Sequence, residues 1–109
     1  MADAVKIVAD KLDEIENELR RLGYWQGAEG RPQEAAFLST TPFCLDTMEL
    51  QQWLEYVLLP RLRALIEAGR PLPEALKIAP MAQEFWRGRW AEHRALIGLL
   101  KALDDCFGR

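Results

Sequence analysis

Two cysteines, Cys44 and Cys106, and one histidine, His93, are all that this sequence of 109 residues offers a transition metal in thiolate or imidazole ligands. Neither cysteine belongs to a C-x-x-C pair, so a four-ligand zinc site would have to recruit carboxylates, and no metal or cofactor is expected. A disulfide between the two is not expected in a reducing compartment. No run approaches the roughly 18 apolar residues of a membrane span. The first residues, with Asp3, Lys6, Asp10 and Lys11, hold no apolar core of a secretory leader, so the cytoplasm is the expected location. Positive charge is also short. Fourteen Lys and Arg stand against 17 Asp and Glu, a net charge of −3, whereas a dedicated nucleic-acid binder usually carries a basic surplus. Alternation with period two is missing, which predicts essentially no strand. There is no internal repeat and no low-complexity segment. No set of residues amounts to a catalytic signature, and no catalytic residue is assigned.

What is present is apolar. Half of the residues are hydrophobic and four are tryptophan, too apolar for disorder and sufficient for one core, so residues 1–109 read as a single helical domain. The stretch from Phe37 to Glu49 and the apolar run from Leu50 to Ile66 organise the rest. Asp46 suits an N-cap, Glu49 stands three residues on for a capping box, and Leu45 and Leu50 suit a hydrophobic staple. Leu50, Trp53, Leu54, Val57 and Leu58 then recur at steps of three and four, giving one apolar helical face. Pro60 removes a backbone bond and frees the carbonyl of Tyr56, which predicts a bend, after which the stripe passes to Leu58, Leu62, Leu65 and Ile66.

Before this helix, Val5, Val8, Leu12, Ile15, Leu19 and Leu22 form an a/d stripe ending at Gly23. It could seam to another chain, leaving a homo-oligomer open, but under three heptads suit a seam with this chain's own central helix better. Gln26 to Pro32 read as loop, and residues 26–42 as a long connection anchored by Tyr24, Trp25, Phe37 and Phe43, with a helical turn at Gln33 to Leu38. After Gly69, Arg70-Pro71-Leu72-Pro73 should be extended. Pro73 to Ile78 is expected as a short helix, Pro80 as the first turn of the next, and Ala91 to Phe107 as the last. The predicted fold is all-α: an antiparallel bundle of about four helices, with a Pro-kinked central helix near residues 46 to 68 and short connecting helices.

Ser39-Thr40, Pro42-Phe43, Asp46-Thr47-Met48-Glu49, Trp53-Leu54, Val57-Leu58, Pro60-Arg61, Pro71-Leu72-Pro73 and Ala79-Pro80 together resemble the YqcC family of small bacterial proteins of largely unknown function. The resemblance covers nearly the whole chain, more loosely at both ends. It implies an all-helical, cytosolic protein associated with tRNA pseudouridine synthase C, a name also loosely given to the family. Pseudouridine synthases use a catalytic aspartate in a much larger mixed α/β domain, whereas this chain is short and strandless. Asp46 is the one aspartate in the shared motif, and its capping position accounts for it.

Pro42, Phe43, Met48 and Trp53 are the densest apolar cluster beside flexible backbone and form the candidate partner interface, with core packing as the alternative for each. Trp86, Arg87, Arg89, Trp90 and Arg94 interleave aromatic and cationic groups like a strip for single-stranded RNA, diluted by Glu84 and Glu92. His93 beside Glu92 has no nucleophile near it in sequence and reads as a packed or solvated residue. Thr40, Thr41 and Thr47 adjoin a helix start that could hold an anion, which Asp46 would oppose. The expected function is a non-catalytic adaptor binding a protein partner such as tRNA pseudouridine synthase C. The alternative is an RNA-binding subunit or enzyme acting directly in tRNA pseudouridine modification.

Overall fold

A computed structural model describes residues 2–107, the first two through their backbone alone. Helix α1 spans Ala2–Arg21. Its stripe of Val8, Leu12, Ile15 and Leu19 is buried in the chain's own core, each such side chain contributing roughly 1.5–3 kcal/mol by leaving water. The stripe therefore packs within this chain, although its main neighbour is the C-terminal helix over Trp90–Asp105, followed by Leu59–Glu67, rather than the Leu50 to Leu58 face. Gly23, at φ +79°, ends the helix. Its N–H donates to the Arg20 carbonyl at 3.0 Å and the Tyr24 N–H donates to Leu19 at 2.9 Å, a paired closure that needs a left-handed residue at this point.

The connection that follows is irregular, with 3-10 turns at Ala28–Gly30, Glu34–Leu38 and Pro42–Cys44. The expected turn near Gln33 to Leu38 is present. The expected helix start at Asp46 is not, because residues 41–48 bond among themselves in a tight turn: the Thr47 and Met48 N–H groups both donate to the Cys44 carbonyl, at 3.0 and 2.9 Å. The Asp46 carboxylate accepts from the Ser39 hydroxyl at 2.5 Å instead of capping a helix. The start moves to Leu50, where Glu49 is the N-cap and its N–H donates to Gln52 Oε1 at 2.8 Å. The box is built, shifted by three residues from the Asp46–Glu49 pair.

The central helix comprises α2 (Leu50–Trp53), a π-helical turn at Leu54–Leu58 and α3 (Leu59–Glu67). The bend expected from Pro60 is met by this widened turn, in which the Leu59 N–H reaches back five residues to the Leu54 carbonyl. A π turn inserts an extra residue and rotates the faces beyond it. Accordingly the adjacent Leu58 and Leu59 are both buried, followed by Leu62. From Ala68 to Ile78 the chain is irregular, with no helix over 73–78. Pro71 and Pro73 disfavour helix there, and the Ile78 and Ala79 N–H groups are taken by Asp104 Oδ2, both at 2.8 Å.

Helices α4 (Ala79–Phe85) and α5 (Trp90–Asp105) complete the chain. The start of α4 meets the end of α5 through Asp104, and Trp86, at the end of α4, stacks on His93 near the start of α5. Tyr24, just past α1, likewise reaches His93, while Ala4 and Ile7 lie beside Ala102 and Cys106. Both neighbours of α5 are therefore antiparallel to it. The central helix runs against α1, Glu55 lying beside Gln26 and Arg63 beside Glu16 and Asp13. The fold is an all-helical bundle with no strand among the described residues.

Candidate functional site

The widened turn of the central helix holds the long connection against the bundle. Glu55, on that turn, is only 5% exposed. Its carboxylate accepts from the N–H groups of Gln26 at 3.0 Å and Gly27 at 2.7 Å. The next residue, Tyr56, donates its hydroxyl to the Gly27 carbonyl at 2.6 Å. A methyl group at Gly30 would come within 2.3 Å of Gln26 Cβ and 2.9 Å of the Tyr56 hydroxyl, so the approach of loop to helix depends on glycine there.

Further along, Phe43 and Cys44 adopt left-handed backbone, with φ of 59° and 51°, at a cost of about 1–3 kcal/mol each. Phe43 is held there by an edge-to-face contact with Trp53, ring centroids 4.8 Å apart and planes at 68°. Between this loop and the central helix runs an open groove of about 770 Å³. Phe37, Ser39, Thr41, Phe43 and Cys44 form one wall. Trp53, Tyr56, Val57, Pro60, Arg61, Ala64 and Leu65 form the other. The Ser39 hydroxyl is engaged by Asp46, and that bond, aided by Thr41, holds the Asp46 carboxyl below the usual range. A groove with this lining can grip an apolar segment.

Two of the four expected interface residues, Phe43 and Trp53, line the groove. Pro42 is exposed but lies outside the lining. Met48 is buried, 6% exposed, because the turn of residues 41–48 folds its side chain inward, and it is no surface anchor. Tyr56, Val57, Pro60, Arg61 and Ala64 also line the groove and were not among the expected interface residues. Their signal was present: with Trp53 they recur at steps of three and four on a second face of the same helix.

Packing removes Trp86 from the expected RNA strip, while Arg87, Arg89, Trp90 and Arg94 stay exposed. Trp86 is 1% exposed and His93 fully buried, their rings stacked 4.3 Å apart at 8°. His93 Nδ1 lies 2.8 Å from the Arg89 carbonyl and Nε2 lies 2.6 Å from the Tyr24 hydroxyl. A carbonyl can only accept, so Nδ1 carries a proton and Nε2 is left to share the contact with the Tyr24 hydroxyl. Arg87 pairs with Glu84. Arg89 pairs with Glu92 at 3.2 Å and donates to the Tyr24 hydroxyl at 3.3 Å. Trp90 stays 55% exposed, its indole N–H donating to the Gln83 carbonyl at 2.9 Å, and with Arg94 it borders a shallow hollow of about 300 Å³. A row of stacking faces is therefore absent. Among the described residues no three His, Cys, Asp or Glu side chains cluster as metal ligands, and no helix is long and apolar enough to cross a membrane.

Residues 7–106 match a family model described as tRNA pseudouridine synthase C. An uncharacterised protein of Haemophilus influenzae is 35% identical over 94 residues, 86% of each chain. The uncharacterised protein YqcC of Escherichia coli is 34% identical over 97 residues, 89% of this chain and 87% of that one. The solution structure of E. coli YqcC superposes with a TM-score of 0.82 at 33% identity, over 96% of this chain and 88% of the other. A Pectobacterium carotovorum protein named tRNA pseudouridine synthase C is 40% identical over 82 residues, which are 75% of this chain and 21% of that protein.

Proposed function

The chain belongs to the YqcC-like family, whose model is described as tRNA pseudouridine synthase C, and from that membership we propose that it is a helical accessory domain that binds such a synthase without being one. The observation that carries this reading is the 21% share: about four-fifths of the Pectobacterium protein that bears the synthase name lies outside the match. A helical domain of this kind joined in one polypeptide to a much longer remainder works beside that remainder, and the same pairing can form between separate chains. The chemistry of this chain supports the division of labour. Its one aspartate in the family motif, Asp46, is bonded to a loop hydroxyl at the surface, and its net charge is negative, opposite to what independent tRNA binding favours.

The test mixes this protein with a purified tRNA pseudouridine synthase C in a calorimeter at micromolar concentration. Heat of binding and co-elution are expected, together with no conversion of tRNA uridine by this chain alone. Absence of binding, or turnover by the isolated chain, would overturn the reading.

A further inference from the structure

We propose that the groove between the Phe43 loop and the central helix takes an apolar peptide segment of the synthase that carries a carboxylate, with Arg61 as its counter-charge. The inference rests on the accessory reading above and goes further, to the chemistry of the occupant. Three observations carry it.

First, the groove is held open by its walls. The left-handed Phe43–Cys44 pair and the contact of Phe43 with Trp53 build one side, while the clamp of Glu55 and Tyr56 on Gly27 fixes the loop that leads into it. Unfavourable backbone persists where surrounding structure over-determines it, and such positions concentrate at ligand clamps. Second, the lining joins partly buried aromatic and aliphatic side chains to Ser39 and Thr41, and partly exposed aromatic side chains beside a proline supply the kind of anchor pockets that peptide segments fill.

Third, the charge is one-sided. Arg61 is the only charged residue in the lining, it is exposed, and it is in no ion pair among the described residues, whereas the next arginine, Arg63, is bound to Glu16 and Asp13 on α1 at 2.7 and 3.0 Å. Asp46, outside the lining, is bonded to Ser39, and the Arg31 guanidinium, paired with Glu34, covers the Phe37 ring at 4.4 Å. On a chain of net charge −3, a groove whose lining carries one unpaired guanidinium, with a second beside Phe37, selects a carboxylate and rejects a basic segment.

The experiment titrates the synthase with wild type, Arg61→Glu, Arg61→Lys and Ala64→Trp, the last filling the groove floor from an exposed position. Thermal melts establish that each variant is folded, and Arg87→Glu, remote from the groove, serves as control. Arg61→Glu and Ala64→Trp are each expected to weaken binding at least about tenfold, Arg61→Lys to retain most of it, and the control to match wild type. If wild type binds and both groove variants bind equally well, the groove assignment is wrong while the accessory reading stands. If wild type does not bind, both fail. Light scattering provides the remaining arm: a wild-type dimer that Arg61→Glu dissociates would make a second copy the occupant and overturn the proposal.

Discussion

Glu55 is the residue through which the core dictates the position of the loop. A carboxylate that deep in an apolar environment persists because backbone N–H groups of Gln26 and Gly27 surround it, and those amides in turn have no other partner in the turn they occupy. Glu55→Ala should therefore cost about 1–3 kcal/mol through the unsatisfied N–H groups, while Glu55→Gln, which keeps an acceptor, should cost less. Urea unfolding followed by circular dichroism reads the difference, and equal losses in the two variants would mean that the side chain acts by volume alone. His93 teaches a related point at the same scale. In sequence it is a lone histidine beside a glutamate, and nothing local shows that Trp86 will cover its ring or that Tyr24, 69 residues away, will bond to it.

At the scale of elements, periodicity and punctuation made most of the fold legible. The α1 stripe, the central helix, the two glycine stops and the absence of strands all follow from spacing and from Gly and Pro placement. Two boundaries did not. The segment 73–78 has residues able to form a helical turn, yet Asp104 from α5 captures the amides where α4 begins, a tertiary contact invisible to local pattern. The Asp46–Glu49 pair predicts the start of the central helix three residues too early, and the left-handed Phe43–Cys44 turn leaves Glu49 with Gln52 to make the box. Only a small part of the candidate groove was legible for the same reason: Phe43 and Trp53 stood out as aromatics, whereas Arg61 and Ala64 matter only once the loop is seen to lie across their face. The shifted start has a measurable consequence. Gln52→Ala should lower stability by about 0.5–1.5 kcal/mol by leaving the Glu49 N–H without its acceptor, while Asp46→Ala should leave the helix content unchanged. A larger loss for Asp46→Ala than for Gln52→Ala in thermal melts would restore the earlier start.

For the whole molecule, the decisive charges are those that tie α1 to the central helix, because they bridge elements far apart in sequence. Burial pushes the Glu16 carboxyl up, but hydrogen bonds from Arg63 and Arg20 and the charges of both outweigh it and hold its pKa below the ordinary value of about 4.5. The Arg21 hydrogen bond and charge lower Glu18 likewise, against a smaller desolvation effect. A carboxyl with a depressed folded pKa binds its proton more readily when unfolded, so its contribution is complete above the unfolded value and is lost as pH falls through the folded one. The contribution of these two carboxyls should therefore stay constant from neutral pH down to about pH 5 and fall progressively below about 4.5. The Arg20 and Arg21 partners are exposed, which screens these pairs, so the loss is graded rather than abrupt. Arg63→Met separates the long-range clasp from the pairs within α1, since it removes the bonds to Glu16 and Asp13 while Arg20 and Arg21 keep their partners. Urea midpoints measured at pH 7 and pH 3.5 should differ less in Arg63→Met than in wild type. An identical difference in the two proteins would place the acid sensitivity elsewhere, in pairs that lie within single helices and do not join the bundle.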